Sequence, residues 1–267
     1  MSDHGDSRPP IDLTAQRLAS SRWRVQVVDE STSTNADVAE RFRGGEPEGL
    51  VLVAEHQSAG RGRMGRSWVT SPRASLIVSF LLVPGAGSGG VPGGRWSWLP
   101  LLTGVAAARA VRRVTDVQVD LKWPNDVLAG GQKLGGILLE RVERRGEAAA
   151  VVGIGINCAQ TTDELPVPEA TSLSVLTGAP VDRSALLEAL LEELADCYDD
   201  WQAGADLRPA YLELCITPGQ QVRVAVPGGE VLGEAVDVDP SGRLVVRTEA
   251  GDERLGAGDV VHVRPQR

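Results

Sequence analysis

At 267 residues the chain is long enough for one large domain and a smaller one around a sizeable core. Its formal net charge of −9 argues against broad binding to nucleic acid or to a membrane surface. No apolar run approaches the roughly 18 residues of a membrane span, and the polar, proline-containing N-terminus does not read as a signal peptide.

Residues 1–22 read as a loosely ordered lead-in with a weakly helical stretch at 13–20. Residues 23–29 alternate like a strand. Ser31-Thr32-Ser33-Thr34-Asn35 then supplies candidate helix caps for a helix over 35–43, stopped by Gly44-Gly45. A helix start of this kind can also receive an anion or a polar ligand group. Residues 49–55 form a strand that runs into Gln57 and the stretch Gly60-Arg61-Gly62-Arg63-Met64-Gly65-Arg66-Ser67-Trp68. There glycines let the backbone approach a ligand closely, and arginines offer permanent charge on a planar donor fork. The glycines satisfy G-x-G-x-x-G, but a turn and a strand over 74–83 follow, where a dinucleotide fingerprint requires a helix. Position 66 is Arg, so a Walker lysine is absent as well. The loop must grip an anion in another way.

A Gly/Pro/Ser loop at 85–94 precedes an alanine-rich helix over 98–114, which suits packing on a sheet. A strand at 117–122 leads to Trp123-Pro124-Asn125-Asp126, then a glycine-turned hairpin over 127–129 and 133–141. Of the 27 basic residues only Lys122 and Lys133 are lysines. That contrast marks positions where a compact ammonium is needed and a bulky fork would not fit. Lys122, Asn125, Asp126 and Lys133 are expected at one end of two strands. Residues 148–156 form a buried strand ending at Asn157, and 161–177 a Pro/Ser/Thr-rich loop. An amphipathic helix over 183–201, capped by Asp182 or Ser184, and a shorter one over 207–215 complete the unit.

From residue 218 short strands at 221–226, 230–237, 243–248 and 260–264 alternate with Gly/Pro turns, the pattern of a small barrel. The expected division is therefore 1–22, 23–217 and 218–267. Cys158, Cys197 and Cys215 are widely spaced and read as free buried thiols in a reducing cytosol. His4, His56 and His262 are too scattered to form a metal cluster.

Ser33-Thr34-Asn35, Gln57 with the glycine-arginine loop, Lys122-Trp123-Pro124-Asn125-Asp126 with Lys133, and Gly153-Ile154-Gly155-Ile156-Asn157 resemble, in this order and spacing, the biotin protein ligases. The resemblance implies an α+β catalytic domain of mixed sheet flanked by helices, like class II aminoacyl-tRNA synthetases and lipoate ligases, followed by an SH3-like small β-barrel. It implies a cytoplasmic enzyme that makes biotinyl-5′-AMP from biotin and ATP, with Mg²⁺, and releases pyrophosphate. Biotin would then pass to a lysine of a biotin carboxyl carrier domain of acetyl-CoA, acyl-CoA or pyruvate carboxylases. The chain would be the short form, with no DNA or membrane partner, as a monomer or homodimer.

Carried over by resemblance, Ser33, Thr34, Asn35, Gln57, Arg61, Gly62, Arg63 and Lys133 would bind biotin. Gly60, Arg61, Gly62, Arg63, Gly65, Arg66, Trp68, Lys122, Asn125 and Asn157 would hold ATP or the adenylate. Lys133, Arg61, Arg63 and Asp126 would be catalytic, Asp126 as base, orienting group or metal ligand. Lipoate–protein ligase, with the same adenylate logic, and a nucleotide-binding module without turnover are the alternatives.

Overall fold

In a computed structural model of the protein, residues 8–12, 22–85 and 91–262 are described. The expected helix at 13–20 and much of the 85–94 loop lie outside them.

The first strand, β1 (Arg24–Ser31), runs parallel to β2 (Leu50–Gln57). Parallel neighbours need a crossover, supplied here by helix α1 (Thr34–Arg43). A miniature hairpin, β3 (Gly60–Arg61) and β4 (Ser67–Trp68), carries the glycine-arginine stretch. Then come β5 (Ser75–Leu82), helix α2 (Trp98–Thr115), β6 (Asp120–Lys122), β7 (Asp126–Ala129), β8 (Gln132–Arg144) and β9 (Glu147–Asn157). They complete a mixed seven-stranded sheet in the order β1-β2-β5-β9-β8-β7-β6.

Side chains alternate across the pleat, so each central strand feeds two cores. Val51 and Val53 join the cluster beneath α2 and helix α4 (Arg183–Gln202), whereas Leu50 and Leu52 join a smaller one beneath α1. On the α1 face β9 reads Ala149, Val151, Gly153, Gly155. Its two glycines face Asn35 and Trp68 with no side chain of their own. Small residues thus leave a depression where the sheet emerges from under α1.

The expected loop at 161–177 ends in a short helix, α3 (Leu173–Thr177), because Ser172 accepts the Val175 N–H and Gly178 closes the turn in the left-handed region. The lead-in is not loose throughout. Arg183, paired with buried Glu55 at 2.7 Å, also donates to Pro9 O, and Glu55 accepts the Ile11 N–H, so residues 9–11 are strapped to the sheet.

After helix α5 (Arg208–Leu214) come β10 (Gln221–Val226), β11 (Gly229–Val238), β12 (Leu244–Thr248), β13 (Gly251–Leu255) and β14 (Asp259–His262). They form an SH3-like antiparallel sheet in the order β13-β12-β11-β10-β14. The sequence pattern has no place for β13, because the exposed Gly251-Asp252-Glu253-Arg254 reads as turn; charged residues of this kind commonly blunt a sheet edge. This sheet is seated on the larger unit by Trp98 Nε1 donating to Pro240 O (2.8 Å) and Trp123 Nε1 donating to Gly242 O (3.0 Å). Its Val222, Val224 and Leu244 belong to the same apolar core as α2.

Candidate functional site

The depression on the α1 face opens into a cleft that is roofed by the β3–β4 hairpin. Its inner wall is the start of α1. Ser33 is the N-cap by position, yet its side chain makes no cap bond. Gln57 takes that role from the neighbouring strand: its Oε1 accepts both the Thr34 N–H (2.8 Å) and the Thr34 hydroxyl (3.0 Å). The Ser33 hydroxyl is left facing the cleft, where it accepts a long bond from Arg61 Nε (3.4 Å). The Ser79 hydroxyl lies 2.6 Å from the acceptor Asn35 Oδ1 and 2.7 Å from the Thr34 hydroxyl, with one proton to donate. The wall is therefore neutral, hydrogen-bonding and buried, a surface suited to a small uncharged polar group.

The mouth is cationic. Arg61 pairs with Glu140 at 2.9 Å, and Lys133 Nζ lies 2.6 Å from Asp126 Oδ1. Arg66 pairs with Asp259 of β14, and Arg63 donates to Gly258 O at 3.2 Å. Burial pulls the Arg63 guanidinium below its ordinary pKa, opposed by the charges of Asp259 and Asp126; an arginine so placed remains charged at neutral pH. Lys133 is fixed by its backbone as well, its N–H donating to Glu169 O and its carbonyl accepting from Thr171 N–H. The tight Gly135-Gly136 pair allows this. Gly135 lies against the Gly155 carbonyl, and the Lys133 ammonium and the Trp68 ring both pass over Gly136.

Twelve of the expected residues line one cleft: Ser33, Thr34, Asn35, Gln57, Arg61, Gly62, Arg63, Arg66, Trp68, Asn125, Asp126 and Lys133. Four lie outside its lining. Gly60 pairs with Trp68 in the hairpin, so close to Gln57 that a Cβ would sit 2.8 Å from Nε2. Gly65 closes the hairpin turn at φ +73°. Lys122 stands behind Asp126, 3.9 Å from its Oδ2. Asn157 is buried in a network with Thr171 O and Gln160. Asn125 lines the cleft while its amide stitches the cis Trp123–Pro124 turn to Ile137 O.

Sequence reasoning gave no role to Met64, which lines the cleft at φ +54°. It also passed over Glu140 and Asp259, because acidic residues in alternating strands look like any solvated face. Trp68 lies across the floor, its rings 2.7–2.9 Å from where a Gly155 Cβ would stand, and its indole N–H is buried without a hydrogen-bond partner among the described residues. Among the described residues no three His, Cys, Asp or Glu side chains converge on a cation site. Both oxygens of Asp126 face lysines.

Comparison with known proteins follows the same outline. The biotin/lipoate A/B protein ligase family matches residues 25–157, and the biotin protein ligase C terminal domain matches residues 217–263. A biotin–[acetyl-CoA-carboxylase] ligase of Mycobacterium tuberculosis is 41% identical over 99% of this chain and 100% of its own length. The bifunctional ligase/repressor BirA of Bacillus spizizenii is 30% identical over 87% of this chain and 72% of its own length. The solved structure of the Aquifex aeolicus biotin protein ligase in complex with biotin and ATP matches with a TM-score of 0.76 at 28% identity, covering 90% of this chain and 99% of that one.

Proposed function

The chain belongs to the biotin protein ligases, and from that premise we propose that its cleft makes biotinyl-5′-AMP from biotin and ATP and passes biotin to a carrier lysine. The observation that carries this reading is that one cleft is lined both by a neutral hydrogen-bonding wall and by a cationic mouth that includes Lys133. A ureido ring has donors and an acceptor but no charge, and the wall of Ser33, Thr34, Asn35 and Gln57 matches it. A carboxylate attacking an α-phosphorus brings two anions together. Lys133, held by Asp126, and Arg61 and Arg63 offset that repulsion and stabilise charge as pyrophosphate leaves.

A hairpin settled over bound ligand excludes water from an easily hydrolysed mixed anhydride. Magnesium that arrives on the nucleotide would be met by Asn125 and by Asp126, whose oxygens already face Lys133 and Lys122, and would supply neutralisation of phosphate charge. A donor set this sparse fits that mode better than a preformed protein cage. In the second half-reaction Asp126 orients the incoming amine or accepts its proton.

The partner is the carrier domain of a biotin-dependent carboxylase. Among the described residues no helix is long and apolar enough to cross a membrane. The three buried free cysteines fit a reducing cytoplasm.

The test is mass spectrometry of a biotin carrier domain incubated with the protein, Mg-ATP and either biotin or lipoate. One biotin mass added, dependent on ATP and absent with lipoate, is the expected result. A gain with lipoate would move the chain to the sister activity. No gain with either, while biotin still binds, would leave a binding module.

A further inference from the structure

We propose that Glu140 is a positioning residue that ties the biotin-facing wall to the arginine hairpin, so that one carboxylate sets both Asn35 and Arg61. The inference rests on the reading of this cleft as the biotin site. Register places the side chain: Leu138 pairs with Gly153 and Glu140 with Val151, so Glu140 stands on the α1 face beside the depression. Its Oε2 accepts from Asn35 Nδ2 and from Arg61 Nη2, each at 2.9 Å.

The two donors belong to different elements, joined otherwise by the Ala59 N–H to Thr32 O backbone bond and by the long Arg61–Ser33 contact. Asn35 sits in the first turn of α1, held also by Ser79 Oγ and by Leu138 O at 3.2 Å. Arg61 projects from a two-residue strand, its side chain 45% exposed. Its remaining side-chain hydrogen bond within the described residues is the 3.4 Å approach to Ser33 Oγ. Without Glu140 a long side chain on a small hairpin would regain its rotamer freedom. The circuit Gln57–Thr34–Ser79–Asn35–Glu140–Arg61–Ser33 would then open at its single carboxylate.

Chemistry explains why a carboxylate is needed. An ionised carboxylate only accepts, so a single oxygen can face an amide and a guanidinium together. A glutamine can supply one such oxygen, but without charge, and it adds an amide donor beside two donors. Charge-assisted bonds are about twice as strong as neutral ones. Glu140 touches neither reacting group, so it acts through others: through Asn35 on the seating of biotin, and through Arg61 on hairpin order and on the charge that Arg61 offsets.

The experiment uses the full chain as Glu140→Gln and Glu140→Asp, with two readouts. The first is the KM for biotin and for ATP in pyrophosphate release. The second is the rate of trypsin cleavage after Arg61, Arg63 and Arg66 in unliganded protein. Glu140→Gln is expected to raise the biotin KM about tenfold or more and more than the ATP KM, to lower kcat through the loosened Arg61, and to speed hairpin cleavage at nearly unchanged Tm. Glu140→Asp, charged but one methylene shorter, should recover part of both effects. Wild-type biotin KM and wild-type cleavage in Glu140→Gln would overturn the proposal. So would equal rises in both KM values with a large fall in Tm, which would mean a merely structural residue. If the wild-type protein turned over no biotin, the function above would fall, while the cleavage rates would still decide whether Glu140 holds the hairpin.

Discussion

Lys133 shows at the scale of a single residue why charge alone does not define this site. Its ammonium reaches Asp126 by passing over Gly136, where a Cβ would lie 3.7 Å from Nζ, so the space fits a compact cation. Lys133→Arg keeps the charge but brings a wider, planar fork. We expect adenylate formation to fall at least about tenfold, read as pyrophosphate release; a rate near wild type would remove the steric argument. Gly153 makes a second case. A Cβ there would overlap Asn35 Oδ1, breaking the bond to Ser79 and straining the one to Glu140. Gly153→Ala should cost about 1–3 kcal/mol of stability by overpacking and weaken biotin binding measured by calorimetry. Gly62→Ala is the control for stability alone, because its nearest neighbour, Arg66 O, would stand at 3.4 Å. The glycines and arginines of the hairpin were legible in the sequence because both residue types are unusual when interleaved. Glu140 was not: Glu140-Arg141 reads as an ordinary pair of solvated charges in a strand, and only the pairing register turns Glu140 toward Asn35.

Among elements, the helices and central strands were legible because their apolar period is long and unbroken. The helix expected over 183–201 ends one residue later, and its Asp182 cap accepts the Ser184 and Ala185 N–H groups. The start of α1 was legible as a place but not as a mechanism. The expected hydroxyl cap is replaced by Gln57, 23 residues away, which only the parallel β1–β2 register brings alongside. The strap over residues 9–11 was missed for the same reason, since Glu55 and Arg183 are 128 residues apart. Their side chains are 4–5% exposed. Removing one partner of such a pair leaves a buried charge uncompensated, at about 3–5 kcal/mol. Arg183→Met should therefore lower stability by that order in denaturant unfolding. A change below about 1 kcal/mol would mean that water reaches Glu55 once the guanidinium is gone.

At the scale of the molecule, the sequence divides a chemical unit from a small terminal sheet, and the structure joins them at the site. Trp98 and Trp123 seat the sheet, and β14 then offers Asp259 to Arg66 and the Gly258 carbonyl to Arg63. Close approach is possible because Gly258 has no side chain where Val224 packs. The terminal sheet thus tethers the roof of a cleft whose floor belongs to the other unit. The Arg66–Asp259 pair is partly exposed, 58% and 35% by side chain, so its strength is limited to about 1 kcal/mol or less and is screened by salt. That limit sets the size and the signature of the prediction. Asp259→Asn should let the roof lift more often, and biotinyl-adenylate should escape about two- to fivefold faster in a filter-binding chase, with little change in Tm. Raising the salt concentration should speed escape from the wild type toward the variant's rate and alter the variant much less. Equal escape rates at low salt would show that the roof is held by the hairpin alone, with the terminal sheet only resting beside it.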